Sequence, residues 1–183
     1  KKNYTKGIEL RGKTIGIIGI GRIGQEVAKI ALGLGMNVVA ADSFFEKVDV
    51  KVEFFNGQFV DFEIKTQPLE EVIKQADFIT LHVPAQKEYV IGKKEFDLMK
   101  NGVAIVNCAR GGVIDENALL EAINNNKVAF AGLDVFINEP TPSKEVLSHP
   151  KISLTPHTGA STNEAQDRIG ISLAEQIVSI LKG

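Results

Sequence analysis

The sequence predicts an α/β fold: a doubly wound parallel sheet with helices on both faces, plus an inserted β-hairpin near residues 48–65. Three observations predict it. Short β-branched runs with few polar positions alternate with stretches of helical apolar spacing, the pattern of a parallel sheet covered on both sides. Glycines gather at the ends of the apolar runs, where tight turns are needed. One segment alternates apolar and charged residues strictly, as a half-exposed hairpin does.

The elements follow in order. Thr14-Ile15-Gly16-Ile17-Ile18 is short, β-branched and bounded by glycine, so it reads as a buried strand. After the glycine-rich turn Gly19 to Gly24, Ile23, Val27, Ile30, Ala31 and Leu34 recur at helical spacing, and Gly33 and Gly35 close that helix. Asn37 to Asp42 forms a second strand. Leu69, Val72 and Ile73 mark a short helix, and Phe78 to Val83 a strand stopped by Pro84. Val103 to Asn107 is the next strand, after which Asp115 caps a helix carrying Ala118, Leu119, Ala122 and Ile123. Val128 to Val135 and Ile152 to Leu154 complete the sheet. Ser161 caps a long final helix with Ile169, Leu173, Ile177 and Ile180 as its apolar stripe.

In the inserted segment, Val48, Val50, Val52 and Phe54 alternate with charges, as do Val60, Phe62 and Ile64. A two-residue turn at Asn56-Gly57 would pair Val52 with Asp61 and put the apolar sets on opposite faces. All seven apolar positions are even, so paired numbers must sum to an even number. A three-residue loop Phe55-Asn56-Gly57, with Gly57 left-handed, sets Val52 opposite Val60 and Val50 opposite Phe62. A loop of Asn56-Gly57-Gln58 is the rival, setting Lys51 opposite Glu63 and Asp49 opposite Lys65. The apolar face is expected to pack on the sheet edge or on a partner chain, because an isolated hairpin is marginal in water.

Charge and composition narrow the function classes. Twenty-one Lys and Arg stand against 23 Asp and Glu, which leaves no footprint for nucleic acid or an anionic membrane. No apolar run approaches the ~20 residues of a membrane span. With 183 residues the chain reads as one domain, 1–183, able to bury roughly 70% of its unfolded surface. The single Cys108 excludes an internal disulfide and favours a reducing compartment, the cytoplasm. The start at Lys1-Lys2-Asn3, without Met, suggests a processed chain or an excised piece.

The chemistry gathers at strand ends. Gly19-x-Gly21-x-x-Gly24 follows a strand, opens a helix and precedes an acidic residue at the end of the second strand. That context makes it a Rossmann-type dinucleotide site: glycines for the turn and close approach, a helix N-terminus for the pyrophosphate. Asp42 is placed to accept both ribose hydroxyls and would repel a 2′-phosphate, so NAD is preferred over NADP. Arg110, bracketed by Cys108-Ala109 and Gly111-Gly112, can hold a carboxylate with two parallel bonds. His157 precedes a glycine-containing loop at a strand's carboxyl end, where it can exchange a proton near neutral pH. Glu139 could pair with it and raise its pKa. Asp134 either faces the nicotinamide or caps the following loop. Cys108, without a basic neighbour in sequence, reads as a small buried filler rather than a nucleophile. His82 and His149 read as structural or surface groups, and Cys108 with three scattered histidines has no metal-ligand spacing.

These residues resemble the D-isomer-specific 2-hydroxyacid dehydrogenase family over nearly the whole chain. The resemblance rests on Gly19 to Gly24, on Leu81-His-Val-Pro84, on Asn107-Cys-Ala-Arg-Gly-Gly-Val-Ile-Asp115, on Leu133-Asp-Val-Phe136 with Glu139-Pro140, and on Thr155-Pro-His-Thr-Gly-Ala-Ser-Thr162. Ser161 to Gln166 and Arg168-Ile169-Gly170 are most similar to the members that oxidise phosphoglycerate at the start of serine synthesis. The resemblance implies that Arg110, Glu139 and His157 are catalytic. It implies that Gly19, Gly21, Arg22, Ile23, Gly24, Asp42, Val83, Cys108, Ala109, Asp134 and Gly159 contact NAD, several of them through backbone. It implies a small 2-oxo or 2-hydroxy acid substrate and a homodimer of the full-length enzyme. Family members carry a second lobe that no segment here supplies, so the chain is expected to be the cofactor domain of a larger enzyme, inactive alone. An alternative of the same fold is an NAD-responsive binding module such as a transcriptional corepressor.

Overall fold

A computed structural model describes residues 7–182. The chain runs β1 (Thr14–Ile18), α1 (Arg22–Gly33), β2 (Asn37–Ala41), the hairpin strands β3 (Lys47–Glu53) and β4 (Phe59–Lys65), α2 (Leu69–Gln75) and β5 (Phe78–Leu81). It continues through α3 (Lys93–Leu98), β6 (Val103–Asn107), α4 (Glu116–Asn124), β7 (Val128–Leu133), α5 (Lys144–Leu147), β8 (Ile152–Leu154) and α6 (Asn163–Lys182). Helices α3 and α5 are short, and the sequence reading missed both. Six strands form one sheet in the order β2-β1-β5-β6-β7-β8, every neighbouring pair parallel. The chain leaves β1 to one side for β2 and later returns on the other side as β5. The strand order reverses there, and the crevice at that carboxyl edge is where open α/β sheets bind ligands.

Alternation along the strands divides the core between the two faces. Ile18, Ile79, Leu81, Ile105 and Leu133 point to one face, where Ile73 of α2, Phe96 of α3 and Leu119 and Ile123 of α4 cover them. Ile17 points to the other, where Ala28 of α1 and Val48, Val50 and Ile64 of the hairpin complete a smaller cluster. That second face is covered only over β1 and β2. Val106 and Phe130, on the same side of β6 and β7, remain exposed, and Phe130 meets the edge of Phe78, 6.5 Å between ring centres. The expected cover of helices on both faces is therefore complete on one side and partial on the other among the described residues.

The hairpin has the register that parity requires. Val52 faces Val60, Val50 faces Phe62 and Val48 faces Ile64. Phe54 N–H donates to Gln58 O at 2.8 Å, and Gly57 has φ +82°, so the loop is Phe55-Asn56-Gly57 and not its rival. The expectation for its apolar face holds only at the base. Val50 is 1% exposed against α1, whereas Val60, further out, is 46% exposed. The strands outrun the helix they pack on.

One helix start differs from the reading. Asp115 caps α4 as expected, accepting from Asn117 and Ala118 N–H. For α6, however, Thr162 is the cap, its hydroxyl accepting from Ala165 N–H at 3.1 Å; Ser161 instead donates its N–H to Thr158 O. The stripe Ile169, Leu173, Ile177 and Ile180 is exposed, and α6 buries none of its residues.

Candidate active site

The glycine-rich turn is shaped by contacts that no side chain could tolerate. A Cβ on Gly24 would stand 2.1 Å from Gly19 O, and one on Gly19, at φ +92°, would stand 2.6 Å from His82 O. The turn is therefore pressed against β5 on one side and onto its own helix on the other. Gly21 differs: it precedes the first turn of α1, has no side-chain cap, and has open space where a Cβ would be. The first hydrogen bond of the helix runs from Gln25 N–H to Gly21 O. This leaves the N–H groups of Arg22, Ile23 and Gly24 without a partner among the described residues, the free positive end a diphosphate needs. Arg22 and Ile23 are exposed there.

Asp42 has a structural task that its sequence position did not reveal. Its Oδ2 accepts from Ile20 N–H at 2.8 Å, and its Oδ1 from Phe44 and Phe45 N–H at 2.7 and 3.2 Å. One carboxylate thus joins the glycine turn to the end of β2. Between them lies a cleft of about 430 Å³, lined among others by Gly19, Gly21, Asp42, Phe44, His82 and Val83. That volume suits a sizeable part of a dinucleotide. A wider hollow of about 500 Å³ lies between α3 and α4 but contains none of the expected site residues. Converging glycine turn, carboxylate and free N–H groups, rather than volume, identify the cleft. His82 lines it, held by Thr80 at 3.0 Å, and burial lowers its pKa; its reading as a structural group omitted that place in the wall.

The second part of the site lies past β6, β7 and β8. His157 Nδ1 is 2.8 Å from Glu139 Oε2, so the pairing that sequence left open is made. The hydrogen bond to His157, with a second from Phe136 N–H, holds the Glu139 carboxyl below its ordinary range. An ionised carboxylate only accepts, so the proton of a neutral His157 sits on Nδ1 and Nε2 is left free. A cleft of about 410 Å³ opens beside the pair, lined by Phe136, Pro140, Leu147, Leu154 and Pro156.

Several backbone ties position this pair. Glu139 closes a loop entered through Asn138, at φ +61°. Glu116, nearly buried at the start of α4, accepts from Ile137 N–H at 2.7 Å and pins the same loop; burial raises its pKa. Asp134 holds a segment other than the loop that directly follows it. Both its oxygens hold the segment beyond β8, accepting from Thr155 Oγ1 at 2.5 Å and from Thr158 and Gly159 N–H, each at 2.8 Å. Burial alone would raise its pKa, but these bonds and the nearby His157 leave it lowered. His157 itself sits at φ +54° within that held segment.

Arg110 enters from β6. The side chain of Asn107, buried, accepts from Ala109 N–H and donates to Arg110 O, which bends the chain into the loop. Gly111 then passes so close to the Glu139 loop that a Cβ would lie 1.9 Å from Phe136 O. Arg110 is exposed and donates Nη1 to Ala109 O, and no carboxylate pairs with it among the described residues. Ala109 is buried behind it. Cys108 corrects an expectation: the thiol is exposed, not a buried filler. Partial burial first, and then Asp134, push its pKa up, which keeps it a poor nucleophile. Asn107, Glu116 and Thr155 were missed by the sequence reading, because a polar residue at a strand or helix end gives no sign of which distant N–H it will meet.

Comparison with known proteins matches this geometry. The sequence pattern described as D-isomer specific 2-hydroxyacid dehydrogenase, NAD binding domain, covers residues 1–159. D-3-phosphoglycerate dehydrogenase of Methanocaldococcus jannaschii is 47% identical over 97% of this chain and 33% of its own length. Hydroxypyruvate reductase of Thermotoga maritima is 46% identical over 97% of this chain and 56% of its own. The crystal structure of D-lactate dehydrogenase with NAD+ from Lactobacillus jensenii superimposes with a TM-score of 0.78 at 33% identity, covering 94% of this chain and 54% of that one. The chain thus spans about a third to a little over half of the relatives it matches.

Proposed function

The chain belongs to the D-isomer-specific 2-hydroxyacid dehydrogenases as their NAD-binding domain, and we propose that it carries the cofactor and the proton-transfer half of a D-3-phosphoglycerate dehydrogenase of serine biosynthesis. The observation that carries this reading is the 2.8 Å contact of Glu139 with His157 at the same sheet edge as the glycine cleft. The high identity to a phosphoglycerate-oxidising relative supports the substrate. The reading as a corepressor-like module gains no support from these relatives, all named as enzymes.

The free N–H groups above Gly21 would hold the cofactor's diphosphate and Asp42 would accept from its ribose; NADH bound there would supply the hydride. Arg110 swings from Ala109 O to grip the carboxylate of the 2-oxo acid with two parallel bonds. Glu139 keeps the Nδ1 proton of His157 in place, so the imidazolium form gives its Nε2 proton to the carbonyl oxygen during reduction, and the neutral form takes the hydroxyl proton at Nε2 during oxidation. A second lobe of the whole protein closes over the substrate, excludes water and covers the bare face around Val106 and Phe130. The protein works in the cytoplasm as a homodimer.

The test is direct. The 183-residue chain should bind NADH yet show no useful turnover of 2-oxo acids, including 3-phosphohydroxypyruvate, because positioning can supply ~7–11 kcal/mol of barrier reduction and one wall cannot position. With the lobe present, turnover should appear, and His157→Ala should cost about 10²–10⁴ in rate. Failure to bind NADH would overturn the reading, and brisk turnover by this chain alone would refute the need for a second lobe.

A further inference from the structure

We propose that the outer edge of β3 joins the same edge of a second copy, making one four-stranded antiparallel sheet across the homodimer on which this inference rests. The hairpin supplies the edge. Phe54 N–H donates to Gln58 O and Thr66 N–H to Glu46 O, so the even positions of β3 bond inward to β4. The main-chain groups of Lys47, Asp49, Lys51 and Glu53 therefore point outward, and nothing bonds to them among the described residues. A free edge of this kind invites another strand.

The charges say which strand. Two antiparallel copies of β3 with Val50 beside Val50 set Lys47 opposite Glu53, Asp49 opposite Lys51, and the reverse on the other half. All four outward positions meet an opposite charge, and these are the positions whose main-chain groups are free to bond. On the apolar face, half-buried Val52 falls beside Val48 of the second copy. The pairing also relieves a conflict inside the hairpin. Asp49 lies directly opposite Glu63, a like-charge pair, and makes no ion pair of its own among the described residues, the nearby Lys47 reaching Glu63 instead. Lys51 of the second copy would supply one. The edge of β4 does not compete. Its outward residues Asp61 and Glu63 would repel in the corresponding arrangement, and its base is taken where Thr66 bridges Ala40 of β2.

The experiment is sedimentation equilibrium of the 183-residue chain under reducing conditions, with Asp49→Lys and Lys51→Asp, both exposed and away from the active site. The wild-type chain should dimerise. Each single variant puts like charges together twice and should raise the dimer dissociation constant about tenfold or more. Mixing the two variants restores every opposite pair, so the mixture should form heterodimers at near wild-type affinity, as should the double variant with itself. A folding defect could not produce that rescue. A monomeric wild-type chain would overturn both the pairing and the dimer it rests on. A dimer indifferent to the single changes, or a mixture no tighter than its components, would overturn the β3 pairing and leave the dimer standing.

Discussion

Asp134 and Glu139 do most of the positioning with single side chains. Replacing buried Asp134 by Ala takes the acceptor from Thr155 Oγ1 and from the Thr158 and Gly159 N–H groups in a partly exposed segment, which should cost about 1–3 kcal/mol by chemical denaturation. The pH dependence follows from the same residues. Both carboxyls are lowered in the folded chain, so on acidification the unfolded chain takes up their protons first. Their stabilisation is complete above about pH 5 and is lost as pH falls through about 4 toward the folded values. The melting temperature should drop over that window, and Asp134→Asn should flatten the drop. Asp42 now carries two expectations. Asp42→Ala should weaken NADH binding roughly ten- to a hundred-fold and relax discrimination against NADPH, and it should also lower the melting temperature because Ile20, Phe44 and Phe45 N–H lose their acceptor. Unchanged NADH affinity would refute its place at the ribose. The identities of these residues were legible in the sequence; their distant partners, 18 to 25 positions away, were not, because hydrogen bonding between distant loops leaves no periodicity.

Elements were more legible than partners. Glycine punctuation and apolar spacing located the sheet strands and the four longer helices, since each needs only local regularity. Helices α3 and α5, six and four residues long, carry too few turns to show a period. Parity alone decided the hairpin register, because a shift of one residue would move every apolar side chain to the opposite face. How much of that face is buried needed the structure. Val50→Ala should accordingly cost about 1–3 kcal/mol, whereas Val60→Ala, on the same face but beyond the reach of α1, should stay within about 0.5 kcal/mol. Equal costs at the two positions would show that the outer half is covered after all. Gly24→Ala tests the turn: its Cβ cannot coexist with Gly19 O, so both stability and NADH binding should fall sharply.

Across the whole molecule, the strand order places both halves of the site along one edge. Loops after β1, β2 and β5 form the dinucleotide cleft, and loops after β6, β7 and β8 carry Arg110, Glu139 and His157. The α/β class, the sheet strands, the glycine turn with Asp42, and the residue types at the strand ends were all determined by the sequence itself, because local backbone geometry and alternating burial write themselves into neighbouring residues. Tertiary structure alone decided that Glu139 meets His157, that Asp134 holds the loop beyond β8, that Cys108 is exposed, and that, among the described residues, nothing covers one half of the second sheet face or the stripe of α6. Each of these depends on how segments far apart in the chain are brought together, and burial and hydrogen-bond partners at such junctions are properties of the packing rather than of any local run of residues.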